Sequence, residues 1–187
     1  MEPKIAIVVA HPDDEILFAA GPMLRYPNVH VFAASTPVVD PERVVQFYRV
    51  CRAMGASAYC SAIPERLDAP LNRLDERIPD LSKFDAIYTH NSVGEYGHQH
   101  HKDVHEYLRD KYLGSVMWFF GYGIENGHAV ATMELDDDEA KQKMAALRLY
   151  DGSRGNNTLA ELLLANIFGG SMQRFRTECF LPRHWQP

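Results

Sequence analysis

Two short tracts of this 187-residue sequence are the richest in side chains suited to binding a metal ion. The first is His11-Pro12-Asp13-Asp14-Glu15, in which an imidazole and a carboxylate three residues apart can converge on one cation. Adjacent carboxylates repel each other unless positive charge lies nearby, and a divalent cation would supply that charge. The alternative is that these acids only favour the positive end of a helix dipole.

Histidines make up the second tract. Five of the nine histidines fall between positions 90 and 105, namely His90, His98, His100, His101 and His105. Pairs of them three or four residues apart can share one face of a helix. One histidine of this tract, joined to His11 and Asp14, would complete the three protein ligands of a catalytic zinc site and leave a position open for water. An exposed polar tract is the alternative, because a His-rich composition only hints at metal binding.

The elements around these tracts alternate between strands and helices. Apolar runs predict strands at 5–10, 29–34, 58–63, 84–90, 116–122 and 128–135. Helical patterns are found at 16–20, 41–54, 100–112, 136–149 and 158–167. This order predicts an α/β fold, a single-domain Rossmann-like three-layer sandwich over residues 1–187 with a mostly parallel sheet.

Both tracts directly follow predicted strands. Ligands of α/β proteins bind at the C-terminal ends of parallel strands, so we expect the two tracts to meet on one rim of the sheet. Pro12 fits the first helical position, where no N–H is required, which predicts that the first helix begins there. Asp136 or Asp137 is the expected cap of a later helix.

Composition excludes several classes of function. The net charge is −6 and no basic stripe is visible, which argues against a nucleic-acid partner. The apolar run Ile5–Ala10 is too short for a secretory signal or a membrane span. Three cysteines at irregular spacing, Cys51, Cys60 and Cys179, are expected to be free thiols in a reducing compartment. We therefore expect a cytoplasmic protein with no membrane span.

The two tracts together resemble a known family. AHPDDE (Ala10–Glu15) after an apolar strand, followed much later by GEYGHQHHKDVH (Gly94–His105), is similar to the PIG-L/LmbE-like zinc-dependent N-deacetylase family. The resemblance implies one Zn²⁺ per chain, bound by His11, Asp14 and His101. It also implies an enzyme that removes an N-acetyl or other acyl group from an amino sugar or a related small amine by metal-activated water.

The resemblance also assigns roles to individual residues. Asp13 matches the general base, and His98 the residue that steadies the oxyanion or acts as an acid. Tyr96 matches a mobile tyrosine that reaches the substrate carbonyl, and Arg43 is similar to an arginine that contacts substrate in some members. The implied partner is a small N-acetylated molecule, with a sugar as the first choice. A homo-oligomer is compatible with the resemblance, but the sequence does not indicate one.

The sequence departs from the family where HPDH is common, because it reads His98-Gln99-His100-His101. The missing acid at position 100 changes the surroundings of the ligands, and it leaves open whether His100 or His101 binds the metal. The resemblance favours His101, since it keeps the family's three-residue step from His98. A metal-dependent sugar-nucleotide-binding protein or glycosyltransferase-like enzyme is the alternative function, in which Asp13 and Asp14 hold a metal diphosphate and the histidine tract has no role.

Overall fold

The computed structural model describes residues 2–66, 69–124, 131–151, 165, 167, 168 and 170–183. Its strands are β1 Lys4–Val9, β2 Asn28–Ala33, β3 Ser57–Cys60, β4 Ala86–Thr89, β5 Val116–Phe120, β6 Ala131–Glu134 and β7 Thr177–Pro182. They form one sheet in the order β3-β2-β1-β4-β5-β7-β6. The pairs among β1 to β5 are parallel, and β7 is antiparallel to both β5 and β6.

Helices cover both faces of this sheet. They are α1 Asp14–Phe18, α2 Ala20–Arg25, α3 Glu42–Ala53, α4 Leu74–Arg77, α5 Gly94–Gly97, α6 Gln99–Lys111, α7 Asp137–Leu147 and α8 Met172–Arg176, with a 3₁₀ turn at Arg148–Tyr150. Among the described residues, no helix is long and apolar enough to cross a membrane. All three cysteines are free, as predicted.

Strand β1, an interior strand of the sheet, explains why two helical layers are needed. Ile5, Ile7 and Val9 pack into one core cluster with residues of α1, α3 and α7, whereas Ala6 and Val8 pack into a second cluster with α4 and α6. Successive side chains of a strand point to opposite faces of the sheet, and here both sets are buried. The predicted α/β sandwich with a mostly parallel sheet is therefore confirmed.

Element boundaries differ from the prediction in several places. The helices predicted at 41–54 and 100–112 are α3 and α6, and Asp136 caps α7 with its side chain, as expected. The third strand ends at Cys60, earlier than predicted. Strand β7 and helix α8 were not predicted. The helix expected at 158–167 lies almost wholly outside the described residues, as does the start of the strand expected at 128–135.

The first helix begins later than predicted. Asp13 is its N-cap residue with φ 108° and ψ −28°, so α1 starts at Asp14 and Pro12 lies outside it. The prediction that Pro12 occupies the first helical position is wrong, because the chain turns through a left-handed conformation at Asp13. Helix α1 ends at Phe18. The next helix, α2, begins at Ala20, where the backbone N–H groups of Ala20 and Gly21 donate to the Glu178 carboxylate.

Candidate metal centre

The C-terminal ends of β1 and β4 bring the two tracts together. These strands are direct neighbours in the sheet, with Val8 opposite Thr89. Just beyond them, the backbone N–H of Ala10 donates to Nε2 of His90 over 2.9 Å. The predicted meeting of the tracts on one rim therefore follows from strand order, since parallel neighbours end at the same edge.

Asp14 lies at the centre of the cluster. Its Oδ2 is 3.4 Å from His11 Nδ1, 3.4 Å from His101 Nε2 and 3.5 Å from His90 Nε2. Burial by itself would raise the pKa of Asp14, but His101, His11 and His90 together hold that pKa well below its usual range. The three side chains predicted to bind zinc are thus adjacent to one another, around a carboxylate that stays ionised.

The side chains present fit a zinc-like cation. His101 is fully buried, yet its Nε2 makes no hydrogen bond, and leaving a buried polar atom unpaired costs about 1–3 kcal/mol. A cation between His11, Asp14 and His101 would take up that lone pair. Two imidazoles and one carboxylate are a donor set found in catalytic zinc sites. The predicted ligands are divided between two groups of donor atoms that lie within 4.8 Å of one another, His11-His98-His101 and Asp14-His90-His101, which share His101.

Glu95 is the main residue of the site that the sequence did not single out. Its Oε2 lies 2.6 Å from His101 Nδ1 and 2.9 Å from His90 Nδ1, and its Oε1 accepts the N–H of Asn91. Burial would raise the pKa of Glu95, but His90 and His101 lower it. A carboxylate on Nδ1 keeps the proton of His101 there and turns Nε2 toward Asp14. The available signal was an acid within GEYGH, three residues before His98.

Asp13 has a strained backbone, which is rare for a residue other than glycine and costs about 1–3 kcal/mol. Its N–H donates to Oε2 of Glu15 over 2.9 Å, and the Tyr150 hydroxyl donates to Oε1 of Glu15 over 2.6 Å. Burial raises the pKa of Asp13 to about 8, against the opposing charge of Arg43. The Arg43 guanidinium lies 3.4 Å from Asp13 Oδ2, so both predicted residues stand beside the cluster.

His98 and Tyr96 lie on the open side of the cluster. His98 caps α6, and its Nδ1 accepts the N–H of His100, which leaves the ring proton on Nε2. Burial, together with His11 and His101, lowers the pKa of His98 to about 4, so this ring is neutral. Tyr96 is 53% exposed, and the centre of its ring is 5.2 Å from that of His101. The structure thus gathers every predicted site residue in one place, while their roles stay predictions.

The geometry favours His101 over His100 as the third ligand. Nδ1 of His100 lies 2.8 Å from His11 Nε2, and its Nε2 is 3.1 and 3.0 Å from the carbonyl oxygens of Arg66 and Ala69. Both ring nitrogens of His100 therefore have hydrogen-bond partners. His101, in contrast, has an Nε2 without one.

No protein-family model matches the sequence, and no curated protein sequence is significantly similar to it. Solved structures do match. A deacetylase involved in the teicoplanin biosynthetic pathway is 12% identical with a TM-score of 0.64, and covers 96% of this chain and 97% of its own. N,N'-diacetylchitobiose deacetylase from Pyrococcus horikoshii is 12% identical with a TM-score of 0.66, covering 97% and 84%.

A third structure shares the fold but is named for a different reaction, a hydration. The 4-carboxy-2-hydroxymuconate hydratase GalB from Pseudomonas putida is 16% identical with a TM-score of 0.56, and covers 98% of both chains. At these identities the matches show a common fold, in agreement with the α/β sandwich predicted from the order of strands and helices. Because one fold can carry different reactions, the reaction has to be argued from the side chains of the site.

Proposed function

We propose that this chain is a metal-dependent N-deacetylase that hydrolyses the amide of a small N-acetylated amine, an amino sugar in first place, with one zinc ion per chain. One observation carries the proposal. The ionised Asp14 carboxylate lies 3.4 Å from both His11 and His101, and His101 presents a buried nitrogen that makes no hydrogen bond. The two structural neighbours named as deacetylases support the choice of reaction.

His11, Asp14 and His101 would hold the metal. A zinc ion in such a site supplies Lewis acidity toward an amide carbonyl and lowers the pKa of water. Asp13, next to Asp14 in the chain but paired with Arg43, would accept the proton of the attacking water. A positioned general base contributes typically about 10²–10⁴-fold to the rate.

Donors on the open side would stabilise the negative charge that develops on the carbonyl oxygen. Nε2–H of His98 is available because Nδ1 of that ring already accepts a backbone N–H, and the hydroxyl of Tyr96 is a second donor. One such donor is worth roughly 3–4 kcal/mol in comparable sites. The proton taken by Asp13 would pass to the leaving nitrogen as the C–N bond breaks, which releases acetate and a free amine.

Arg43 would contact the substrate beside Asp13, since its Nη1 lies 3.4 Å from Oδ2 of that residue. Nothing in the site favours the sugar-nucleotide-binding or glycosyltransferase-like alternative, because Asp14 faces imidazoles, which that function leaves without a role. The proposal includes a cytoplasmic location and no nucleic-acid partner. It is compatible with a homo-oligomer.

The test is amide hydrolysis by zinc-loaded protein. A panel of N-acetylglucosamine, its nucleotide-linked form and short N-acetylated oligosaccharides is incubated with enzyme, and acetate and primary amine are measured separately. We expect both products in equal amounts from at least one compound. The matched control is His101→Ala, which should lose zinc and release neither product. A panel that yields no amine from a protein with a full complement of zinc would contradict the deacetylase assignment.

A further inference from the structure

His100 stands where the sequence leaves the family pattern, and it contacts a proposed metal ligand. The ring is buried at the start of α6, with 4% of the residue exposed. We propose that His100 is a positioning residue that fixes the tautomer of His11, so that His11 presents Nδ1 to the metal. This inference rests on the metal centre of the proposed function and concerns how the first ligand is oriented.

The proton of His100 can be assigned from its surroundings. Nε2 lies 3.1 Å from the carbonyl oxygen of Arg66 and 3.0 Å from that of Ala69. Carbonyl oxygens only accept hydrogen bonds, so Nε2 must carry the proton. A neutral imidazole has a single N–H, and Nδ1 of His100 is therefore an acceptor.

The proton of His11 follows from that of His100. Nε2 of His11 is 2.8 Å from the acceptor Nδ1 of His100, so His11 donates through Nε2–H and keeps its lone pair on Nδ1. That Nδ1 is the atom 3.4 Å from Oδ2 of Asp14. A lone pair facing a carboxylate at this distance is unfavourable unless a cation lies between them, so this tautomer suits the metal-bound state.

Glu65 offers a competing arrangement. Its Oε2 lies 3.3 Å from the same Nε2 of His11, and the donor atoms of His11, Glu65 and His100 lie within 4.8 Å of one another. A cation held by these three would need the lone pair of His11 on Nε2, which is the opposite tautomer. The 2.8 Å between Nε2 of His11 and Nδ1 of His100 is a hydrogen-bond distance and requires a proton on one of the two atoms, which that cation arrangement would not allow.

Two amide variants of His100, each of which replaces one ring nitrogen, separate the acceptor at Nδ1 from the contacts made by Nε2. His100→Asn places an amide oxygen close to the position of Nδ1 and loses the contacts with the carbonyls of Arg66 and Ala69. His100→Gln reaches toward those carbonyls and leaves His11 without the acceptor at Nδ1. Glu65→Gln is the matched test of the competing arrangement.

The measurement is zinc affinity by competition with a chromogenic chelator, supplemented by the visible spectrum of the cobalt-loaded protein. Outer partners of metal-binding histidines typically affect affinity about 10–100-fold. We expect His100→Gln to weaken zinc binding by about that factor and to alter the cobalt spectrum. His100→Asn should stay within about threefold of the parent with an unchanged spectrum, and Glu65→Gln should have the smaller effect of the two glutamine variants.

The results also separate this inference from the proposed function. The role of His100 would be overturned if His100→Asn and His100→Gln lost zinc affinity equally, or if neither lost any. A larger loss of zinc affinity in Glu65→Gln would overturn it as well. A parent protein that binds no zinc would overturn the metal centre and this inference together. If the parent binds zinc and the variants follow the expected order, the role of His100 stands, whether or not acetate is released from any substrate.

Discussion

Asp13 and Asp14 are adjacent in the chain, but their surroundings shift their pKa values in opposite directions. Asp14 faces three imidazoles, which hold its pKa well below the usual range against the effect of burial. Asp13 has one guanidinium nearby, and burial raises its pKa to about 8. A pair of carboxyl groups whose environments push their pKa values apart is typical of a division of work in catalysis. Asp14 suits a ligand that stays ionised, and Asp13 suits a group that takes up and returns a proton.

Asp13→Asn tests this division directly. Asparagine has nearly the same shape and is among the residues that tolerate positive φ best, so the turn at φ 108° should persist. We expect turnover to fall by about 10²-fold or more, because the proposed general base is lost, while the protein keeps its zinc. Elemental analysis and acetate release measured on the same sample check this. Full activity in the variant would contradict the role of Asp13 as the base.

At the scale of elements, the site is carried by short turns with unusual backbone angles. In α5, φ is positive at Gly94, Glu95 and Gly97. This turn directs the Glu95 carboxylate inward, onto Nδ1 of His101, and leads into the cap of α6 at His98. The backbone of Glu95 packs directly on Gly123 from the loop after β5. The positions of Glu95 and His98 therefore depend on a contact with a distant segment of the chain.

Gly123→Ala should disturb this contact. A Cβ at Gly123 would come within 1.7 Å of the Glu95 carbonyl oxygen, so α5 or the loop has to move. We expect a loss of stability of about 1–3 kcal/mol or more and weaker zinc binding, measured by urea denaturation and chelator competition. Gly55→Ala is the matched control, since Gly55 has the same φ of 78° and open space around it. Equal effects of the two substitutions would show that only backbone strain matters.

A second prediction at the scale of elements concerns Lys143 in α7 and its contribution to stability. Its Nζ is buried and donates to Glu178 over 2.8 Å and to the carbonyl oxygens of Leu17 and Phe175. Lys143→Met would leave the Glu178 carboxylate buried without its cation, which typically costs about 3–5 kcal/mol. The free energy of unfolding in urea measures this. Lys141→Met, on the same helix but exposed, should change it little, and a similar loss there would contradict the explanation.

At the scale of the whole molecule, strand order brings the two tracts together. Strand β1 pairs with β4, although about eighty residues separate them in the sequence, as the 2.9 Å contact from Ala10 to His90 shows. Both tracts therefore leave the sheet at the same edge. Binding of a cation between them would stabilise the folded chain, because the unfolded chain does not hold these side chains together.

Zinc should accordingly raise the melting temperature. At a free zinc concentration 100 times the dissociation constant, the gain is about 2.7 kcal/mol. For a chain of this length, that corresponds to a shift of roughly 5–10 °C. Differential scanning calorimetry with and without a chelator measures it, and His101→Ala should show no such shift. A rise of equal size in the variant would indicate zinc binding elsewhere.

The sequence by itself determined the alternation of strands and helices, and with it the parallel sheet. It also marked His11, Asp13, Asp14, His98 and His101 as residues that meet on one rim. These predictions depend on local patterns: β-branched runs, helical spacing and the rule that parallel strands end together. The late start of α1 and the antiparallel strand β7 did not follow from such patterns. Asp13 takes a left-handed conformation that is rare for residues other than glycine, and β7 pairs with β5, which is distant in the sequence.

Only the tertiary structure decided which atom of each ring faces the cation site. The choice of His101 over His100 depends on carbonyl oxygens contributed by the loop at Arg66 and Ala69. The role of Glu95 depends on a turn that brings its carboxylate within 2.6 Å of Nδ1 of His101. A residue type indicates which hydrogen bonds a side chain can make, but its partners come from segments far apart in the chain. The proton positions that prepare a metal ligand are therefore a property of the folded molecule.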